Sequence, residues 1–572
     1  MSNNKMNQFK LALREMRGAI FVVALFSAAV NLLMLTGPLF MLQVYDRILT
    51  SRSVETLAVL FALVCILYAF LSFFDFLRLR VLSRTAYKFD ATMMPLAQKT
   101  WIYQGAASKT GSARPVQDLT TVRQFVGSNA PSAFFDLPWV PLYLALIFFL
   151  HFWLGVLAAS GAALVIMLTI CNELFSRKPL SQSVPYEVND MQLSQQVHSN
   201  ADAIVSMGMI GRMVTLWGGT RMQAMSLAQR AGSITETMTA STKGIRMLLQ
   251  SSILALGAWL AIQQEISPGA MIAASIIAGR ALAPVDQVVG NWRNFARTRL
   301  AYGRLKEIFG TMPPASDPLE LPKPEGFLEV REMAKLSALG DGTSGIPGKA
   351  ILRGLQFKLE PGDALGVIGP SASGKSSLAK LLVGLWMPDN GSIRLDGATF
   401  DQWDRELLGD HIGYLPQAVE LIEGTIKDNI CRFDPNGSDE DVVEAAKLAG
   451  IHDMIVGLPG GYEAKVVGAG SVLSGGQAQR IALARAVYKT PALIVLDEPN
   501  SNLDADGDAA LTNCISSLRE AGSTVVVMAH RPSAIASVNL ILILKDGKQV
   551  DLGSKEEVLQ KVKRVSVVPK AS

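Results

Sequence analysis

Ile20–Val44 is a run of 25 residues without a charge. About 20 apolar residues in a helix span the ~30 Å hydrocarbon core of a bilayer. Lipid offers no partner to backbone N–H and C=O groups, so such a run must satisfy them internally and is expected to be helical. Thr56–Phe74 is a second uncharged run, and Phe134–Leu150 and Phe152–Cys171 form a close pair around His151 with Asp136 as their one charge. Met247–Ile262 and Met271–Val285 are shorter, the latter carrying Arg280. Six spans are expected, which accounts for a chain 49% apolar and only 18% charged.

Basic residues orient these spans. Lys5, Lys10, Arg14 and Arg17 precede the first, eight Lys/Arg lie in 77–130 (among them Arg78, Arg80 and Arg84), and seven lie in 175–246. Of the odd-numbered connections, the first holds Arg47 and Arg52 and the others none. The positive-inside rule then puts both termini and both long connections in the cytoplasm. The first run is too long for a signal-peptide core and carries Asn31, Gly37 and Pro38, so it is expected to be retained. The net charge of +4 is largely topology and calls for no nucleic-acid partner. Cys65, Cys171, Cys431 and Cys514 lack metal or disulfide spacing and read as packing residues.

Residues 1–310 are thus expected to form an α-helical membrane domain. Its two long connections exceed the ~12–15 residues at which structureless loops become uncommon, so the spans are expected to continue as helices beyond the membrane, over Val122–Ala130 and Met191–Arg230 among others. The Pro-rich stretch 311–326 reads as a semi-rigid linker. From 327 to 572, short apolar strands alternate with helices, the pattern of an α/β domain around a mostly parallel sheet.

That second domain carries the chemistry. Gly369-Pro370-Ser371-Ala372-Ser373-Gly374-Lys375-Ser376-Ser377 fits a phosphate-binding loop, between a strand (364–368) and a helix (377–383) as the motif requires. Its backbone N–H groups would wrap the phosphates of ATP or GTP, Lys375 would reach the β- and γ-phosphates, and the Ser376 hydroxyl would ligate Mg²⁺. Ala492–Pro499 is an apolar strand ending in two carboxylates: Asp497 suits a Mg²⁺ partner, and Glu498 could polarise an attacking water. Leu473-Ser474-Gly475-Gly476-Gln477 opens a helical run and makes a second anion site, which invites a composite site shared between subunits. Gln417 and His530, each mundane alone, complete a fixed order along the chain.

In that order, residues 327–560 resemble the P-loop nucleotide-binding domain of ABC transporters. The resemblance implies that Gln417 senses Mg²⁺ and the membrane domain, and that Ser474 and Gly476 close on the γ-phosphate in trans. It further implies that Glu498 is the catalytic base, His530 a γ-phosphate contact and Asp504 the D-loop acid. The segment 497–504, with 37–49, 51–57 and 135–141 of the membrane half, is similar to the ATPase/permease of bacterial type I secretion systems, in the branch exporting proteases, lipases and haem-binding proteins with uncleaved C-terminal signals. That likeness implies a homodimer in the bacterial inner membrane with its nucleotide-binding domains cytoplasmic, a periplasmic adaptor protein, an outer-membrane channel and an unfolded secreted protein as cargo. Fewer than about twenty residues precede the first span, so no leader-cleaving peptidase domain is expected there.

Three positions depart from the family pattern. Ala372 replaces a frequent Gly and is expected to be tolerated at a negative φ. Ala478 stands where Arg or Lys is common. No aromatic residue lies between Phe327 and Phe357 to stack on adenine, which predicts loose base selectivity. The methionines of 175–246, among them Met191, Met207, Met209, Met213 and Met222, suit either packing between long helices or contact with varied unfolded polypeptide. Arg280 either lines a path through the membrane or marks a span that ends early. Two other functions compete with protein export: a lipid or small-molecule exporter with the same engine, and a nucleotide-gated channel or scaffold.

Overall fold

A helix that leaves a bilayer can continue only if its backbone and its apolar face remain satisfied outside it. In the computed structural model, which describes residues 2–107, 114–311, 321–336, 350–466, 473–530 and 535–567, three helices do so. Val54–Ala107 has 54 residues, Phe152–Ser199 has 48 and Ile210–Ile262 has 53, lengths of about 70–80 Å at the ~1.5 Å rise per residue. The chain divides into two units, Ser2–Pro314 and Ala315–Ser572. Most of the expected linker, 312–320, lies outside the described residues.

Among the described residues, the first unit has six helical segments long and apolar enough to cross a membrane, each overlapping one expected span. The first is not one straight helix. Ser2–Leu33 ends before Pro38, Thr36–Gln43 resumes with Pro38 in its first turn, and a π-helical segment Val44–Ile48 follows. Proline has no N–H to donate and is tolerated where a helix begins, so the break falls where the sequence forces it. The helices of the long connections are also interrupted, one ending at Val126 and another breaking between Ser199 and Ile210.

Asp136, the lone acid of the third and fourth spans, is buried against Arg78 from the second, with nitrogen–oxygen distances of 3.0 and 3.1 Å. Asn31 of the first span donates to the same carboxylate at 2.7 Å, and the Tyr143 hydroxyl donates to the Asn31 carbonyl at 2.8 Å. At one rim of the unit, the Asp46 carboxylate accepts from the Ser267 hydroxyl and from the Gly269 N–H, at the start of the helix Pro268–Gly290. His151 lies 3.1 Å from Glu265 on the same turn. Arg280 is exposed in the middle of that helix, which runs ten residues past it. Met191, Met207 and Met222 are exposed while Met209 and Met213 are half-buried, so packing between helices of this chain accounts for only part of the set.

The second unit is built on a ten-stranded sheet, with a separate pair formed by β7 (Gly424–Thr425) and β8 (Lys465–Val466). The sheet comprises β1 (Leu328–Leu336), β2 (Ala350–Leu359), β3 (Ala364–Ile368), β4 (Asn390–Leu395), β5 (Ala398–Thr399), β6 (Ile412–Leu415), β9 (Leu493–Asp497), β10 (Thr524–Ala529), β11 (Leu540–Lys545) and β12 (Lys548–Ser554). The order is β5-β4-β1-β2-β12-β11-β3-β10-β9-β6. The strands from β11 to β6 are parallel, while β1, β2, β4 and β5 form an antiparallel wing, so the sheet is more mixed than the alternation of strands and helices suggests. The parallel strands are buried on both faces. Along β10, Val525, Val527 and Ala529 enter one core while Val526 and Met528 enter the other, the period-2 alternation of a strand covered on both sides.

Candidate functional site

Parallel strands present their carboxyl ends on one edge, and ligands of open α/β sheets bind in the crevice there. Four of the singled-out features follow such an end. The phosphate loop follows β3, Gln417 lies two residues beyond β6, Asp497 ends β9, and His530 follows β10. Register makes these ends level: Met528 pairs with Val367 on one side and with Asp497 on the other, and Leu415 pairs with Leu496.

Within the loop Gly369–Ser377, Lys375 is buried and donates to the carbonyls of Gly369 at 2.8 Å and Pro370 at 3.1 Å. Burial pushes its pKa down from the ordinary value, against the opposing pull of Glu498 and Asp497. Two glycines are structural necessities. A Cβ on Gly369 would stand 2.1 Å from the Leu544 carbonyl oxygen, and Gly374 sits at φ +104°. Ala372 does not have the negative φ expected of it: it stands at φ +62°, a left-handed conformation costly to a residue with a Cβ. The loop curls its N–H groups inward, and that curl needs the left-handed residue whatever side chain occupies it.

Asp497 is buried beside the loop, and its carboxyl is pushed above the ordinary value chiefly by burial, with the Ser376 hydroxyl bonded to it pulling the other way. Its Oδ1 has no hydrogen-bond partner among the described residues. A buried carboxylate oxygen left open next to a serine hydroxyl offers hard oxygen donors suited to a small divalent cation. Glu498 is held at both oxygens, by Gln417 Nε2 at 3.0 Å and His530 Nε2 at 2.9 Å. Its backbone stands at φ +54°.

Ser474 caps the helix Gly475–Val487, its hydroxyl accepting from the Gln477 N–H while the Gln477 side chain accepts from the Ser474 N–H. Gly476 is tight: a Cβ there would stand 2.7 Å from the Asn502 carbonyl oxygen. Asp504 caps the helix Ala505–Glu520 by accepting from the Gly507 N–H and pairs with Arg480 at 3.0 Å. That N–H holds the Asp504 carboxyl below its ordinary value. The sequence reading missed Gln479, a buried side chain joining the Ser474 helix to the turn after β9. A polar residue at a core position of an otherwise apolar helix face was the signal available. Part of the aromatic-free segment bearing on adenine, 337–349, lies outside the described residues.

A family model for ABC transporters matches residues 352–501. The type I secretion system ATP-binding protein PrsD of Rhizobium meliloti is 43% identical over 557 residues, covering 97% of this chain and 94% of that protein. The alpha-hemolysin translocation ATP-binding protein HlyB of Escherichia coli O157:H7 is 28% identical, covering 95% and 77% respectively. The solved structure of a bacterial Atm1-family ABC exporter with ATP bound superposes with a TM-score of 0.76 at 22% identity, over 98% of this chain and 99% of that one.

Proposed function

Because this chain belongs to the family of type I secretion ABC transporters, we propose that it is the ATP-driven engine of a type I secretion system, hydrolysing ATP to export protein. The observation that carries this reading is that likeness to protein-secretion ATPases runs through the membrane unit as well as the nucleotide unit. The finer reading places it in the bacterial inner membrane as a homodimer, with both termini and the nucleotide-binding domain in the cytoplasm. It works with a periplasmic adaptor and an outer-membrane channel, and its cargo is an unfolded protein with an uncleaved C-terminal signal.

The chemistry follows from the site. Lys375 exchanges the carbonyls of Gly369 and Pro370 for phosphate oxygens, with the loop N–H groups around them. Mg²⁺, held by Ser376, Asp497 and Gln417, would neutralise developing charge on the phosphates; the open Oδ1 of Asp497 fits that task. Glu498 accepts a proton from the attacking water, His530 contacts the γ-phosphate, and both already meet at 2.9 Å. Ser474 and Gly476 close the site from the partner subunit, near its Asp504. Nucleotide drives transport only through its unequal affinity for open and closed dimers.

The test compares culture media from cells carrying the native chain and Glu498→Gln, by mass spectrometry. One or a few proteins should disappear from the medium and accumulate inside. An unchanged set of secreted proteins beside an inactive ATPase would turn the reading to lipid or small-molecule export.

A further inference from the structure

Beside the site, the turn 498–502 holds an uncomfortable conformation. Glu498 stands at φ +54° and precedes Pro499, whose ring crowds the residue before it away from helical conformations. Such a residue keeps its place only where neighbours over-determine it. The Glu498 N–H donates to the Met528 carbonyl at 3.0 Å, which fixes one end. The other end is fixed by Gln479. Its Nε2 lies 3.3 Å from the Glu498 carbonyl oxygen, 2.6 Å from that of Pro499 and 3.3 Å from the Ser501 hydroxyl, while its Oε1 accepts from the Asn502 N–H at 3.0 Å.

One buried side chain thus grips residues 498, 499, 501 and 502, and it belongs to the helix that begins at Ser474. Gly476, one turn earlier, abuts the Asn502 carbonyl, and Arg480 pairs with Asp504. The first turns of that helix and the segment bearing Glu498 are joined at three points, two of which fix only its far end.

We infer that Gln479 is a positioning residue for Glu498, transmitting the placement of the Ser474–Gly476 helix start to the catalytic carboxylate. The inference rests on the proposed roles of Glu498 as base and of Ser474 and Gly476 as contacts to nucleotide on the partner subunit. Under those roles each chain's helix start senses one nucleotide while its own Glu498 acts on the other. Gln479 is then the link by which occupancy of one site sets the rate at its twin.

The experiment uses the full chain, purified and reconstituted, with Gln479→Met, which removes every bond, and Gln479→Glu, which keeps the acceptor for Asn502 and the shape. ATP affinity is read with a fluorescent ATP analogue and turnover by phosphate release. The expected result is a kcat lowered about tenfold or more, with ATP affinity within about twofold of native and cooperativity in ATP lost. In a Glu498→Gln background the same substitutions should cost less than about twofold, because residues acting through one another are not additive. Native kcat in both variants overturns the inference. So does an undiminished loss in the Glu498→Gln background, or loss of ATP binding in both variants, which would make Gln479 a general support of the fold. Native turnover of Glu498→Gln alone would instead remove the base reading, and this inference with it.

Discussion

Ala372 and Asp497 show how single residues near the phosphates trade stability for use. At φ +62° Ala372 bears a strain that glycine would not, so Ala372→Gly should stabilise the nucleotide unit by ~0.5–1 kcal/mol, read as a raised unfolding midpoint with ATP binding retained. Asp497 is a buried acid whose pKa is raised above the ordinary 3.8, so the folded unit holds the proton more tightly than the unfolded chain. Its contribution to stability is therefore present below 3.8 and is lost as pH climbs through the raised value. Asp497→Asn, uncharged at every pH, should flatten that part of the pH–stability profile and raise thermal stability at neutral pH, while ATP hydrolysis falls about a hundredfold. A divalent cation should bind the native protein more weakly as pH falls, since it competes with this proton. The residue types were legible in the sequence because motifs fix them by spacing. The sign of φ at Ala372 was not, because it is set by the curl of the loop and not by the side chain.

At the scale of elements, the buried contact between Arg78 and Asp136 joins two spans far apart in sequence. Removing Arg78 leaves the buried Asp136 carboxylate with only the Asn31 amide, whereas Arg78 would keep Asp75 if Asp136 were lost. Arg78→Met should therefore destabilise the membrane unit by ~3 kcal/mol, while Arg78→Met with Asp136→Leu should restore most of the loss. Thermal aggregation in detergent should rank the variants native, double, single, with the single lowest. The six spans themselves could be read from charge-free runs, since lipid leaves a helix little choice. The pairing of Asp136 with Arg78 could not, because a lone acid in an apolar run announces a partner without naming it. Nor could the sheet order, where pairing between distant strands such as β3 and β10 answers to burial on both faces and leaves no mark at any one position.

For the whole molecule, orientation is the property that joins engine to export. If the long connections face the cytoplasm, a cysteine-free chain carrying Gln263→Cys, in the exposed turn between Ile210–Ile262 and Pro268–Gly290, should react with an impermeant maleimide from the periplasm. Ser206→Cys, in the interrupted segment after Ser199, should react only once the inner membrane is opened. The reverse pattern would invert the topology and remove ATP hydrolysis from the side on which ATP is found.

The turn at 265–269 has a consequence for how the rim of the membrane unit is held. Glu265 meets His151 of the tight corner after Leu150, and Ser267 and Gly269 meet Asp46 beyond the first span. Three hairpin corners of the rim are thereby laced through five residues of one of them. Like a bootlace tied at a single eyelet, the order of that rim hangs on one short stretch, and a substitution there releases all three corners at once.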